Sequence, residues 1–158
     1  MLYIISLLMV FAIIWDARTM HIPNWIPISI LFLYFVWVFL SRQQTFDIIC
    51  SVLVGLALFL VAFLLFAKGI IGGGDGKLIA AVALWLGWGA HLLEYLVIAS
   101  VLGGILSLAA LASRNLAQYL PLPAWVPDWV VRKEAGVPYG VALGIAGLIV
   151  LPDVIVMV

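Results

Sequence analysis

The sequence predicts an all-α, polytopic membrane protein with about six transmembrane helices and both termini outside the cytoplasm. Three observations carry that expectation. Of 158 residues, 68% are hydrophobic and 9% are charged, against roughly 25% charged in an ordinary soluble domain. The mean hydropathy is +1.35. The apolar residues fall into runs separated by short polar breaks. The basic residues, finally, crowd onto one alternate set of those breaks. A water-soluble globule of this size could not hide so much apolar surface, which excludes a soluble enzyme and a disordered chain. With seven Lys+Arg against seven Asp+Glu, there is no basic face for nucleic acid. At ~20 residues per span, the length fits five or six helices in one domain.

The spans read as Leu2–Trp15, Ile26–Leu40, Phe46–Ala67, Leu78–Trp88, Leu92–Ala112 and Tyr139–Val156. Gly87-Trp88-Gly89 is either a turn between the fourth and fifth spans or a kink. The first span lacks a basic n-region and an A-x-A site before Asp16, so it reads as a retained helix, not a cleavable signal. Six spans place loops 16–25, 68–77 and 113–138 on one side, with Arg18, Lys68, Lys77, Arg114, Arg132 and Lys133. The opposite loops carry Arg42 alone. Six against one marks the first set as cytoplasmic. Cys50 is the single cysteine, so neither an internal disulfide nor a CxxC zinc site is expected. His21 and His91 fall on opposite faces and cannot share a metal. No HExxH and no GxSxG is present, which argues against metalloprotease, rhomboid and serine hydrolase chemistry. No cofactor is expected.

Acidic residues at membrane depth are costly and mark functional sites by default. Topology sorts the seven. Asp47, Glu94 and Asp153 fall at outer helix ends and read as solvated. Asp128 and Glu134 read as interfacial charges, in a loop whose Trp125, Trp129, Pro121, Pro123 and Pro127 suit the inner interface. Asp16 and Asp75 remain. They lie 59 residues apart in sequence, yet at one depth on the cytoplasmic side. If spans one and four pack together, two carboxylates meet in a half-dry site. Like charges a few ångströms apart cannot both ionise, so one stays protonated and the pair titrates jointly. The ionised member draws a proton from water and the protonated one polarises a scissile carbonyl. That is the chemistry of an aspartyl protease.

The surroundings of Asp75 strengthen this reading. Gly72, Gly73 and Gly74 precede it, forming a GxGD element. Glycine permits φ > 0 and close backbone approach, and a plain hairpin rarely needs three. Irregular backbone at membrane depth is tolerated where it is buried or lines a wet cavity. An extended substrate strand could pair there by strand addition. Span one, about 15 residues long, rises only ~22 Å, and span four is shorter. Both fall below the ~30 Å hydrocarbon thickness, so a polar site could sink toward the lipid boundary. Lys77, two residues past Asp75, does not face it on a helix and reads as an anchor; so does Arg18. Asn24 suits an N-cap for span two, with Pro27 tolerated in the first turn. Gly140 and Gly144 form a GxxxG suited to close helix packing.

At these residues the chain resembles the type IV prepilin peptidases. Asp16-Ala17-Arg18-Thr19-Met20-His21-Ile22-Pro23-Asn24-Trp25 is similar to their first catalytic block. Gly72-Gly73-Gly74-Asp75-Gly76-Lys77-Leu78 is similar to the second. Val137-Pro138-Tyr139-Gly140-Val141-Ala142 looks like the motif opening the last helix of short members. Presenilin-type proteases share GxGD alone; both blocks together are more specific. The resemblance implies an inner-membrane aspartic endopeptidase that cuts the short basic leader of prepilins and pseudopilins, after a glycine, at the cytoplasmic face. Asp16 and Asp75 would be its catalytic pair. Gly72–Gly74 would form the supporting turn, and Pro23, Asn24 and Lys77 would help to shape the site. Larger members carry an N-terminal cytoplasmic domain with paired CxxC motifs and N-methylate the product. The lone Cys50 points instead to a peptidase-only form like those of tight-adherence (Flp) pili. Gly76 stands where a small-to-medium apolar residue is commoner, which predicts a looser turn. Two alternatives stay open: a broader GxGD intramembrane protease, and a small proton or cation transport subunit using the same two aspartates. Natural substrates and oligomeric state are not legible.

Overall fold

The structure, a computed structural model, describes residues 1–41, 43–117, 126–131 and 136–156. It is helical throughout, with no strand among the described residues. The order is α1 (Leu2–Thr19), α2 (Trp25–Ser41), α3 (Thr45–Ala67), α4 (Gly73–Leu86), α5 (Ala90–Ala117), the short turn α6 (Asp128–Val131) and α7 (Tyr139–Val156). Helices α1, α3 and α5 are each long and apolar enough to cross a membrane, and α2 and α7 are shorter apolar helices. Large apolar side chains such as Phe32, Phe39, Phe46 and Leu64 point outward. In water that surface would drive aggregation, whereas in lipid it is the expected exterior.

Helix α4 is the axis. It is apolar all round, and from Leu78 to Leu86 every residue except Ile79 is buried, as befits a helix surrounded by others. Its small residues set the spacing. Helix α3 packs on it through Gly55, where an added Cβ would lie 2.7 Å from Leu84, and through Gly76, where one would lie 2.9 Å from Ala62 Cβ. Such approaches are the usual means of helix association without a hydrophobic driving force between helices. Gly76 therefore tightens the α3–α4 contact, contrary to the looser turn expected from sequence. Helix α2 flanks α4 at Trp85, whose Nε1–H donates to the Ile30 carbonyl at 3.1 Å and whose ring meets Tyr34 and Trp37. Helix α7 packs against α1, α4 and α5.

Two boundaries differ from the sequence reading in ways that matter. Helix α1 runs on to Thr19, so at 18 residues it rises ~27 Å and is not notably short; Asp16 lies inside its last turn. Helix α5 has 28 residues, or ~42 Å, longer than the bilayer core. Near its end, Arg114 Nε–H donates to the Trp129 carbonyl at 3.0 Å and its Nη2 to the Gly136 carbonyl at 2.6 Å. Helices α4 and α5 are separate. Gly87 closes α4 at φ 60°, ψ −160°, a region open essentially to glycine alone. A Cβ there would also sit 3.0 Å from Ser51 Oγ. Gly87→Ala is expected to cost about 1–3 kcal/mol of stability, read as a lower Tm in detergent; an unchanged Tm would contradict this account of the turn.

Candidate active site

Helices α1, α3 and α5 end, and α2, α4 and α7 begin, at one end of the bundle. Arg18, Lys68, Lys77 and Arg114 lie at this end, while Asp47, His91, Glu94 and Asp153 lie toward the other. The histidines are thus well separated, with His91 Nδ1 3.6 Å from Glu94 Oε2. Arg42, Trp125, Pro121, Pro123, Arg132, Lys133 and Glu134, which the sequence assigned to loops, lie outside the described residues. Trp129 is described: its Nε1–H donates to the Ala17 carbonyl at 2.8 Å, tying the α6 turn to the end of α1.

Asp16 sits one turn before the end of α1 and is 3% exposed, the one buried charged side chain among the described residues. The helix stops because Met20 adopts the left-handed conformation at φ 54°, its N–H closing on the Asp16 carbonyl at 2.8 Å. Such a cap usually needs glycine. Here it reverses the chain so that Ile22 points back into the bundle, 1% exposed. Ile22 is a wedge between two helix starts. A Cβ on Gly74 of α4 would fall 3.0 Å from Ile22 Cβ and 3.2 Å from its carbonyl oxygen. A Cβ on Gly140 of α7 would fall 2.6 Å from Ile22 Cδ1.

The three glycines before Asp75 each answer to a different neighbour, and none has positive φ. Gly72 is the N-cap of α4, with Gly73, Gly74 and Asp75 forming the first turn. Asp75 folds back toward the Gly72 backbone N–H, as the third residue of a capped helix does. A Cβ on Gly72 would lie 2.7 Å from Asp75 Oδ2. One on Gly73 would press the Phe66 ring at 3.2 Å, and Gly74 meets Ile22 as described. Close approach, not left-handed backbone, is what the triglycine provides; the element is a regular helix start, not the irregular loop that the sequence suggested.

Helices α1 and α4, whose packing the sequence left as a condition, are not a direct pair. Helix α7 packs on both and, with Ile22, brings their ends together. Asp75, partly buried, lies within the electrostatic reach of Asp16. The N–H groups of Gly140 and Val141, at the positive end of α7, face the Asp16 carboxylate. A Cβ on Gly140 would lie 2.7 Å from Asp16 Oδ2, and that oxygen closes no hydrogen bond within the protein. Gly144, one turn on, is equally tight against Ile13 at 2.5 Å. The GxxxG does pack closely, and its first glycine also leaves room for the carboxylate. His21, exposed, lies within the field of Asp16.

Asn24 and Lys77 meet each other. Lys77 Nζ donates to Asn24 Oδ1 at 2.8 Å. The Asn24 side chain is thereby engaged across to α4 instead of capping α2, to which it lends only its carbonyl, accepting from Ile28 N–H at 3.2 Å. The bond pins the α1–α2 loop to the α4 start. Pro23 accepts from Ile26 N–H at 3.1 Å, setting the first turn of α2. The sequence did not single out Ile22 as a spacer or Gly140 as a neighbour of Asp16; their motifs were visible, their partners were not.

Against that geometry, the model of the type IV leader peptidase family matches residues 3–108. The chain belongs to the type IV leader peptidase family. The matched stretch includes both aspartates and the whole Gly72–Asp75 element; α7 lies beyond it. No curated protein matches the chain, and no solved structure matches it. Family membership indicates a peptidase, and the long apolar helices fit a membrane protein.

Proposed function

We propose that this member of the family is an aspartic endopeptidase that removes the short basic leader of Flp-like prepilins and pseudopilins. The cut follows a glycine at the cytoplasmic face of the inner membrane, and Asp16 and Asp75 are the catalytic pair. The observation that supports this reading is that two carboxylates from separate helices lie at the same end of the bundle within each other's electrostatic reach, Asp16 buried against the start of α7 and Asp75 partly buried at the start of α4. Interacting acids in a half-dry site share a proton. The ionised carboxylate takes a proton from water as its oxygen bonds to the scissile carbonyl carbon. The protonated one gives its proton to the carbonyl oxygen. Collapse of the tetrahedral intermediate breaks the C–N bond, and a proton passes to the leaving amine. Gathering of Arg18, Lys68, Lys77 and Arg114 at the same end supports a cytoplasmic orientation, with six spans and outward termini.

The test is incubation of the purified protein with a Flp-type prepilin in detergent, reading the new N-terminus by mass spectrometry. Cleavage after the glycine is expected, and replacing that glycine with a bulky residue should stop it. Cleavage that ignores this replacement would favour a broader protease. Ion flux in liposomes with no peptide product would point to transport and overturn the proposal.

A further inference from the structure

Helices α2 and α3 both pack on α4 and barely on each other, which leaves a groove of about 300 Å³ between them. Lys77, Ala80, Ala81 and Leu84 form its floor, Leu31 and Phe35 one wall, and Leu56 and Phe59 the other. These wall residues are between 38% and 52% exposed, so the groove opens sideways, toward lipid in a membrane. From Lys77 to Leu84 the floor runs ~10 Å along α4. A second cavity, of about 280 Å³, shares Phe59 and Lys77 and extends the groove toward Phe66 and Gly73. An apolar cleft left empty forfeits contacts for every atom that lines it, so a bilayer component is the natural filling. Asp75 lines neither cavity: the floor residues recur three and four apart on one face of α4, and a residue two positions from Lys77 does not share that face.

One charge breaks the apolar lining. Lys77 Nζ donates to Asn24 Oδ1, a neutral acceptor, at 2.8 Å, and no carboxylate pairs with it among the described residues. An ammonium offers three donors, so positive charge stays open at the mouth of the groove. Lys68, the exposed C-cap of α3, adds a second cation at this end. The half-exposed Trp25 ring, at the start of α2, suits the headgroup level. An apolar slot that ends in a cation without a counter-charge complements an acyl chain that ends in an anion. We propose that the α2–α3 groove binds an anionic phospholipid of the leaflet at this basic end, with one acyl chain along Ala80 and Ala81 and the phosphate at Lys77. Basic pockets between transmembrane helices take such headgroups. The bound lipid fills the gap and clasps α2 and α3 to α4. A basic peptide leader, by contrast, would be repelled at Lys77. The site stands independently of the aspartic-pair reading.

The experiment is native mass spectrometry of the full chain in detergent, with equal amounts of phosphatidylglycerol and phosphatidylcholine of the same acyl chains. Wild type is expected to retain one phosphatidylglycerol, at least tenfold over phosphatidylcholine. Lys77→Gln can still donate to Asn24 but carries no charge, and it should bring that ratio within twofold; Lys77→Arg should keep it. Leu56→Trp, which crowds the α3 wall, should lower retention of both lipids at least threefold. Equal retention of the two lipids by wild type would overturn the proposal, as would a tenfold preference that survives in Lys77→Gln. If Lys77→Gln does not insert, the wild-type ratio is read at rising ammonium acetate. A preference that falls as salt screens the headgroup contact supports the site, and one that does not fall overturns it. Displacement of the lipid by a Flp-type prepilin would assign the groove to substrate, and a lipid-free dimer would assign it to a second copy of the chain; either result also overturns the proposal.

Discussion

Asp75→Asn is expected to reduce prepilin cleavage by at least about 10²–10⁴-fold, the range carried by a positioned acid–base group, while the protein stays folded and membrane-inserted. The substitution is unusually clean here. Asp75 is the third residue of a capped helix, folded back on the Gly72 N–H. The carbonyl oxygen of asparagine can accept from that N–H as the carboxylate does, so the helix start is kept. What asparagine cannot do is exchange a proton. A purely structural Asp75 would therefore tolerate asparagine with nearly full activity, and Tm with initial rates distinguishes the two. Asp16→Asn is expected to behave alike, because Asp16 faces the start of α7 through groups that asparagine also satisfies in part.

Gly140→Ala should be the next most damaging change. Its Cβ would arrive 2.7 Å from Asp16 Oδ2 and 2.6 Å from Ile22 Cδ1, so both the carboxylate and the wedge beside it must move. A displacement of about 1 Å at a catalytic group can cost ~10² in rate, beyond the ~1–3 kcal/mol of stability that overpacking removes. Gly144→Ala is the control. It crowds the same α1–α7 contact, at Ile13 Cγ1 2.5 Å and Met9 O 3.3 Å, but does not touch Asp16. A similar fall in Tm is expected for both variants, with a large loss of kcat only for Gly140→Ala. Equal losses of activity would mean that Gly140 serves packing alone.

The end of the bundle at which each carboxylate falls was legible from the sequence, and neighbour order was not. Apolar runs and basic loops place Asp16 and Asp75 at one end of the bundle because a helix that spans lipid leaves little freedom along its axis. Which helix touches which depends on side-chain shape, so the sequence could pose an α1–α4 contact only as a condition; α7 and Ile22 bridge the two helices instead. Glycine is ambiguous for the same reason. Gly72, Gly73, Gly74, Gly76, Gly87 and Gly140 look alike in a sequence, yet only Gly87 of these needs positive φ. The others make room for a carboxylate, a ring, a backbone or a facing helix. Lys77 and Asn24 were suspected separately; 53 residues of sequence separate two groups that share one hydrogen bond.

Whether Asp16 and Asp75 act as one unit is measured most directly by a double-mutant cycle on cleavage. Groups that act together are strongly non-additive: removing the second costs little once the first is gone. Initial rates of prepilin cleavage, read by mass spectrometry, should therefore be equally low in Asp16→Asn, Asp75→Asn and the double variant, with each protein inserted and folded. Substantial cleavage by either single variant, or losses that multiply in the double one, would contradict a shared catalytic pair.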